Sequence, residues 1–308
     1  MLNPTARRVA RHRDLLDEMA AERGTELRET GGAGDASELA RRAREEGVRE
    51  IVSAGGDGTL NEVVNGLAPF AAGDGREEHR PALGVLPLGT GNDAARSLGV
   101  PLDPERARTA LEEGTVRTLD VGCVRGDRER YFVNSAIGGV GGLVERRLPE
   151  RLKRWLGSYS YRVAAVSALR HVPRYRVTAE WEDGEEGRGS LRAVAYSVIV
   201  ANGRFAGGGI PVAPGARPDD GLLDLIVIEC GPLRRIPGLV ASVLRGRHLD
   251  REDVRRVRAT SFDLRSAPPT WVSLDGEVFG DEALGTEVVP GALRVLIPGA
   301  AGEAHREV

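Results

Sequence analysis

One eight-residue string constrains this chain more than any other feature: Gly55-Gly56-Asp57-Gly58-Thr59-Leu60-Asn61-Glu62. It follows the apolar run Ile51-Val52-Ser53-Ala54 and leads into a helical pattern. Glycines at a strand-to-helix turn let the backbone approach a phosphate, and the N–H groups of the helix start point at it. Thr59 is placed to cap the helix or to bond a phosphate oxygen. An acidic residue among the glycines repels phosphate unless a magnesium ion or its waters intervene, which gives Asp57 a metal-linked role. The plain alternative is a tight turn with an Asx cap.

The layout recurs thirty residues on. Leu83-Gly84-Val85-Leu86 reads as a strand, Pro87-Leu88-Gly89-Thr90-Gly91-Asn92-Asp93 as the turn, and Ala94 to Leu98 as a helix. Two such turns at one end of a parallel sheet face each other across a crevice, where open α/β sheets bind ligands. Asp93 then joins Asp57 near one cation, directly or through waters, and Asp120 is a third candidate.

The first ~120 residues alternate helix and strand patterns, as in a parallel α/β sheet. Helices are expected over Arg7 to Arg23, over Ser37 to Glu46 and from Asn61 to Leu67; buried strands are expected over Val48 to Ala54 and Ala82 to Leu86. After about Val121 short strand-like runs follow, separated by Gly, Pro and Asp turns: Arg130 to Asn134, Tyr175 to Trp181, Ala193 to Ala201, Leu223 to Ile228, Ser261 to Leu264 and Trp271 to Leu274. That is the pattern of an antiparallel sandwich, with a helical insert from Leu143 to Leu169. The fold class is therefore α/β plus all-β: an N-terminal Rossmann-like parallel-sheet domain over 1–122, then a C-terminal antiparallel β-sandwich over 123–294. The closing strand Ala292 to Ile297 returns to the first domain, so 295–308 would complete it.

At 308 residues, 41% hydrophobic and 29% charged, the chain is long enough for two globular domains. A net charge of −3 gives no global basic field for nucleic acid. The positive charge is almost all arginine. Lys153 is the single lysine, which leaves no lysine for a Walker-type loop or a Schiff base unless Lys153 serves. Cys123 and Cys230 read as small core residues, and the five histidines show no metal-ligand spacing. No apolar run reaches 18 residues, so no transmembrane segment is expected. The start shows no secretory signal, and a cytoplasmic location follows as the expectation, with a homodimer left open.

Taken together, these strings resemble the diacylglycerol-kinase catalytic family, which also contains sphingosine and ceramide kinases. The resemblance runs through Asn3-Pro4-Thr5, Gly55 to Glu62, Pro87 to Asp93 with Arg96, Asn134 to Gly139, Ala201-Asn202-Gly203, Pro214 to Gly221 and Asp275-Gly276-Glu277. It implies an ATP-dependent lipid kinase that moves a γ-phosphate onto the hydroxyl of diacylglycerol or a similar lipid. ATP would be held by Asn3, Pro4, Thr5, Thr30, Gly55, Gly56, Asp57, Gly58, Thr59, Leu60, Asn61, Glu62, Gly89, Thr90 and Asn92. Asp57, Asp93 and Asp120 would form a Mg²⁺–water network. Asp220, with the carbonyls of Arg217 and Leu222, would hold a second, structural Mg²⁺. Asp275 or Glu277, brought from the second domain, would be the general base. By spacing alone, Trp271 to Phe279 is a two-residue hairpin, and Pro218-Asp219-Asp220-Gly221 a common turn.

The resemblance also carries two departures. Only Met1 and Leu2 precede Asn3-Pro4, where the family has an apolar strand, and Ala6, Arg7 and Arg8 replace its glycines. The arginines at 146, 147, 151, 154, 162 and 170, with Lys153, lie among apolar and aromatic residues and suit an anionic membrane interface. A peripheral position at the inner membrane face follows. The rivals are an NAD kinase-like or other small-molecule kinase, and a catalytically silent nucleotide- or lipid-binding relative.

Overall fold

A strand buried on both faces must be apolar throughout, and Ala82–Pro87 is buried at all six positions. In the computed structural model it lies at the middle of the first unit. The structure describes residues 1–4, 6, 8–68, 80–126, 129–139, 174–185, 187–280 and 284–299. The expected helical insert over 143–169, its basic residues, and Thr5 lie outside them. The chain divides into two units, Met1–Asp120 with Val289–Val308, and Val121–Val288.

The first unit runs α1 (Arg13–Arg23), α2 (Asp35–Glu45), β1 (Glu50–Gly55), α3 (Asp57–Leu67), β2 (Ala82–Pro87), α4 (Asp93–Leu98) and α5 (Pro104–Glu113). β1 pairs with β2 in parallel, from Glu50 opposite Ala82 to Gly55 opposite Pro87. The returning segment 289–297 adds a further parallel neighbour through Arg294 and Val295. The two residues before Asn3-Pro4 act as a minimal strand: Leu2 bridges in parallel to both Ala54 and Glu29.

Three elements differ from the expectation. The helix expected over 7–23 is a 3₁₀ turn at Val9–Arg11 followed by α1, with a break at His12. The helix expected to open at Asn61 begins at Asp57, so Asp57 to Leu60 form its first turn and the loop proper is Gly55-Gly56. Helix α5 was not expected at all; it starts where the Asp103 carboxylate accepts the Arg106 N–H at 3.1 Å, with Pro104 at the first turn.

The second unit is antiparallel. β3 (Thr115–Arg125) leads into it, followed by β4 (Arg130–Phe132), β5 (Ser135–Gly139), β6 (Tyr175–Gly184), β7 (Gly187–Ala201), β8 (Leu223–Glu229), helix α6 (Ile236–Leu244), β9 (Val254–Ala267), β10 (Val272–Leu274), β11 (Glu277–Gly280) and β12 (Leu284–Ile297). The long strands β7 and β9 each serve three partners, β7 also pairing with β5 and β9 also with β12. Their outer halves pair with β6, and their other halves pair with β8. Alternation along the strands feeds two cores. Val198, Val200, Leu225 and Val227 join Phe132 and Phe262 in one; Ile199, Ala201, Ile226 and Ile228 join Tyr196 and Leu239 in the other. Both faces of these strands are thus apolar and buried, as a sandwich with a further covering layer requires.

Candidate active site

The mouth of the first unit's sheet is built by its two glycine loops in direct contact. The Gly55 carbonyl accepts the N–H groups of Leu88 at 2.8 Å and Gly89 at 3.0 Å. The approach is so close that a Cβ on Gly89 would stand 2.3 Å from the Gly56 Cα; glycine is required there for space. Asn92, in the left-handed region at φ 54°, locks the second loop. Its Oδ1 accepts the Gly89 N–H at 3.0 Å and its Nδ2 donates to the Gly89 carbonyl at 3.1 Å.

Asp57 ties one helix to the other. Its Oδ1 accepts the Ala94 N–H at 3.1 Å, satisfying an amide of α4's first turn from across the crevice. Gly56, at the cap position of α3, brings no side-chain acceptor to that helix's first turn. A helix start without a side-chain cap favours an anion. A shallow, solvent-open recess lies here between Gly55, Gly56, Asp57, Leu60, Pro87, Asn92 and Ala95. Asn3 reaches the same end: its Nδ2 donates to Thr59 Oγ1 at 3.1 Å, and its N–H to the Ala54 carbonyl. Thr30 is anchored beside it, its N–H on the Leu2 carbonyl at 2.9 Å. Pro4 and Thr90 are exposed.

Leu60 also lines this recess, while Asn61 and Glu62 serve within the unit. The Leu60 and Asn61 side chains are buried in the unit. The Glu62 carboxylate accepts the N–H groups of Gly34 at 2.9 Å and Ala36 at 3.2 Å, capping α2. Asp93 is buried, and Asp120 Oδ1 accepts the Gly291 N–H at 2.8 Å. Among the described residues no three Asp, Glu, His or Cys side chains come together closely enough to hold a metal ion directly. Asp57, Asp93 and Asp120 form no such group in this structure.

In the second unit, three of the resembling motifs converge on one turn. Asp275 (φ 47°) and Gly276 (φ 94°) form the two-residue turn between β10 and β11. The Asp275 carboxylate accepts three backbone N–H groups: Val133 at 2.7 Å on one oxygen, Asn134 at 2.8 Å and Ser135 at 2.9 Å on the other. Asn202 closes the corner, donating from Nδ2 to the Val133 carbonyl at 2.8 Å and from its N–H to the Asn134 carbonyl. Glu277, two residues on, is exposed.

Asp220 sits in a separate corner of that unit. Its Oδ1 accepts the Leu222 N–H at 3.2 Å, and its Oδ2 is paired with Arg258. Asp224, 2% exposed, takes Arg256 Nε at 2.5 Å and lies 3.8 Å from Arg258 Nε. Burial pushes the Asp224 carboxyl up, against the pull of Arg256. Both Asp220 oxygens are therefore engaged, and the positive partner is a guanidinium. These residues as arranged do not fit a divalent cation without displacing Arg258. Sequence reasoning missed Arg256 and Arg258, which lie 32 and 38 residues from their partners.

Comparison with known proteins matches the model described as diacylglycerol kinase catalytic domain over residues 1–124. The YegS C-terminal NAD kinase beta sandwich-like domain matches residues 134–297. A Chromohalobacter salexigens protein named "Probable lipid kinase YegS-like" is 35% identical over 274 residues, 88% of this chain and 83% of that one. A Bacillus subtilis diacylglycerol kinase is 34% identical over 257 residues, 83% of this chain and 80% of that one. A Bacillus anthracis crystal structure described as a candidate diacylglycerol kinase superposes with a TM-score of 0.79 at 27% identity, covering 97% of this chain and 94% of that one.

Proposed function

Since the chain belongs to the diacylglycerol kinase family in its YegS-like, two-domain form, we propose that it transfers the γ-phosphoryl group of ATP to the hydroxyl of diacylglycerol or a similar lipid. The observation that carries this reading is the pair of glycine loops held against each other by Gly55, with the uncapped start of α3 beside them. Phosphoryl transfer proceeds through a loose transition state, so positioning and charge stabilisation dominate. The amides of Gly58 and Thr59 bind phosphate oxygens at the helix start. Asn3 and Thr30 line the nucleoside side. Asp57, Asp93 and Asp120 would hold a magnesium ion through its waters, and the ion would supply charge neutralisation to the phosphates. The acceptor hydroxyl loses its proton to a carboxylate of the Asp275-Gly276-Glu277 turn. Three of the roughly four acceptor positions on Asp275 are already filled by N–H groups, so Asp275 holds the turn and Glu277 is the better base.

A small depression opens in the second unit between Ala136, Val177, Val198, Leu264, Val272 and Leu284, with Arg265, Ser266 and Thr270 at its polar side. The test is radiolabelled ATP with diacylglycerol in mixed micelles, and NAD as the rival acceptor. Label in the lipid product is the expected result. Label in NAD alone, or in neither, overturns the proposal.

A further inference from the structure

Helix α6 is apolar on two opposite sides. Ile236, Leu239 and Val243 pack into the second core of the sandwich. On the other side, Leu233 is 69% exposed, Pro237 is exposed, Val240 is half-buried and Leu244 is 39% exposed. Positions 233, 237, 240 and 244 follow helical spacing, so they form one outward stripe running from the 3₁₀ turn Leu233–Arg235 to the end of α6. A helix apolar all round belongs in an interior. This one has its outer stripe in water.

The charge within this segment is of one sign. From Cys230 to Leu249 there is no Asp or Glu, while Arg234, Arg235, Arg245 and Arg247 are present. All four arginines are exposed. None of them makes an ion pair among the described residues. Asp253, the acid near Arg235, is already held by Arg251 through two bonds of 2.7 Å. Four exposed arginines lie in the segment that carries the apolar stripe, on a chain whose formal net charge is −3.

We propose that the turn 233–235 and the outward face of α6 dock this protein on an anionic phospholipid bilayer. Leu233, Val240 and Leu244 enter the acyl boundary and the four arginines bind headgroup phosphates. The proposal rests on the lipid-acceptor reading above, because an enzyme whose acceptor resides in a bilayer must meet that surface. It uses residues distinct from the basic segment 146–170.

The test is co-sedimentation of the full chain with vesicles of phosphatidylglycerol and phosphatidylcholine in equal parts, and with phosphatidylcholine alone. Three proteins are compared: wild type, a quadruple Arg234→Ser, Arg235→Ser, Arg245→Ser, Arg247→Ser variant, and a double Leu233→Asn, Leu244→Asn variant. All the changed side chains are exposed, and thermal melting confirms that each variant is folded. Wild type is expected on the anionic vesicles, with the quadruple variant weaker by roughly 1,000-fold and the double variant weaker by about tenfold. Equal binding by all three, or no binding by wild type, overturns the proposal. So does a wild-type dimer in light scattering that the double variant abolishes, which would make the stripe a contact between copies. Transfer to diacylglycerol dispersed in detergent micelles is measured in parallel. Vesicle binding through α6 without any transfer leaves the docking in place and removes the kinase reading; transfer with unaltered vesicle binding does the reverse.

Discussion

Asparagine at position 275 changes one atom of a side chain that carries an entire corner of the second unit. In the wild type the carboxylate accepts from Val133, Asn134 and Ser135 at 2.7, 2.8 and 2.9 Å. The best orientation of an amide keeps its oxygen toward Asn134 and Ser135. Its NH₂ then faces the Val133 N–H, donor against donor. One charge-assisted bond is lost and that N–H is stranded, at about 1–3 kcal/mol, and the two remaining bonds fall from charged to neutral strength, about 1 kcal/mol each. Asp275 is only half-buried, and water at the turn reduces the total to about 2–3 kcal/mol. Asp275→Asn is therefore expected to lower the melting temperature by about 5 °C or more. Glu277→Gln, exposed and outside this bond set, is expected to leave it within about 1 °C while removing transfer activity. Differential scanning calorimetry of both variants, with the transfer assay alongside, separates scaffolding from chemistry. An Asp275→Asn protein that melts with the wild type refutes the reasoning, because the three N–H bonds would then carry no net stability.

Three further outcomes follow from particular contacts. Gly89→Ala places a methyl group 2.3 Å from the Gly56 Cα and is expected to abolish nucleotide binding by calorimetric titration, whereas Gly32→Ala, with nothing within 4 Å, leaves it unchanged. Arg258→Ala leaves Asp220 without its guanidinium and is expected to cost about 2–3 kcal/mol, part of it restored by millimolar Mg²⁺ in a melting experiment; an unchanged melting temperature contradicts the pairing. Burial holds the His248 imidazole below its ordinary pKa, against the opposing pulls of the Val212 carbonyl and Asp250. The unfolded chain thus binds the extra proton first, so the contribution is intact above about pH 6.5 and is lost as pH falls through the folded value. A His248→Gln variant is expected to flatten that acid limb of a stability–pH profile.

The sequence made the architecture legible where side-chain pattern and backbone need coincide. The apolar runs Ile51-Val52-Ser53-Ala54 and Leu83-Gly84-Val85-Leu86 could only be buried parallel strands, and the glycines after them could only be close turns. The short strand-like runs Ala193 to Ala201 and Leu223 to Ile228, set apart by Gly, Pro and Asp turns, marked the antiparallel unit. What escaped reading had mixed or remote causes. The starts of β7 and β9, Gly187 to Arg192 and Arg255 to Arg258, are polar and partly exposed, so they carry no apolar run. Asp57 to Thr59 look like loop because Asp, Gly and Thr are poor helix formers, yet they form α3's first turn. Helix α5 was readable from Asp103-Pro104-Glu105, a cap followed by proline at the first turn. The Arg258 pairing depends on strand register, with Asp224 opposite Arg258 in β8 and β9, and no local signal encodes it. The task of Asp275 depends on N–H groups 140 to 142 residues away, so only its turn geometry was visible.

The phosphate-binding role of the first unit's loops is the claim on which the enzyme reading stands, and amide resonances report it most directly. In a ¹⁵N-labelled protein titrated with Mg²⁺·ATP, the largest shifts are expected at the N–H groups of Gly56, Gly58 and Thr59. AMP, lacking the β- and γ-phosphates, is expected to leave those signals nearly unmoved. Shifts confined to other residues, or equal responses to ATP and AMP, would contradict a triphosphate seated at the start of α3.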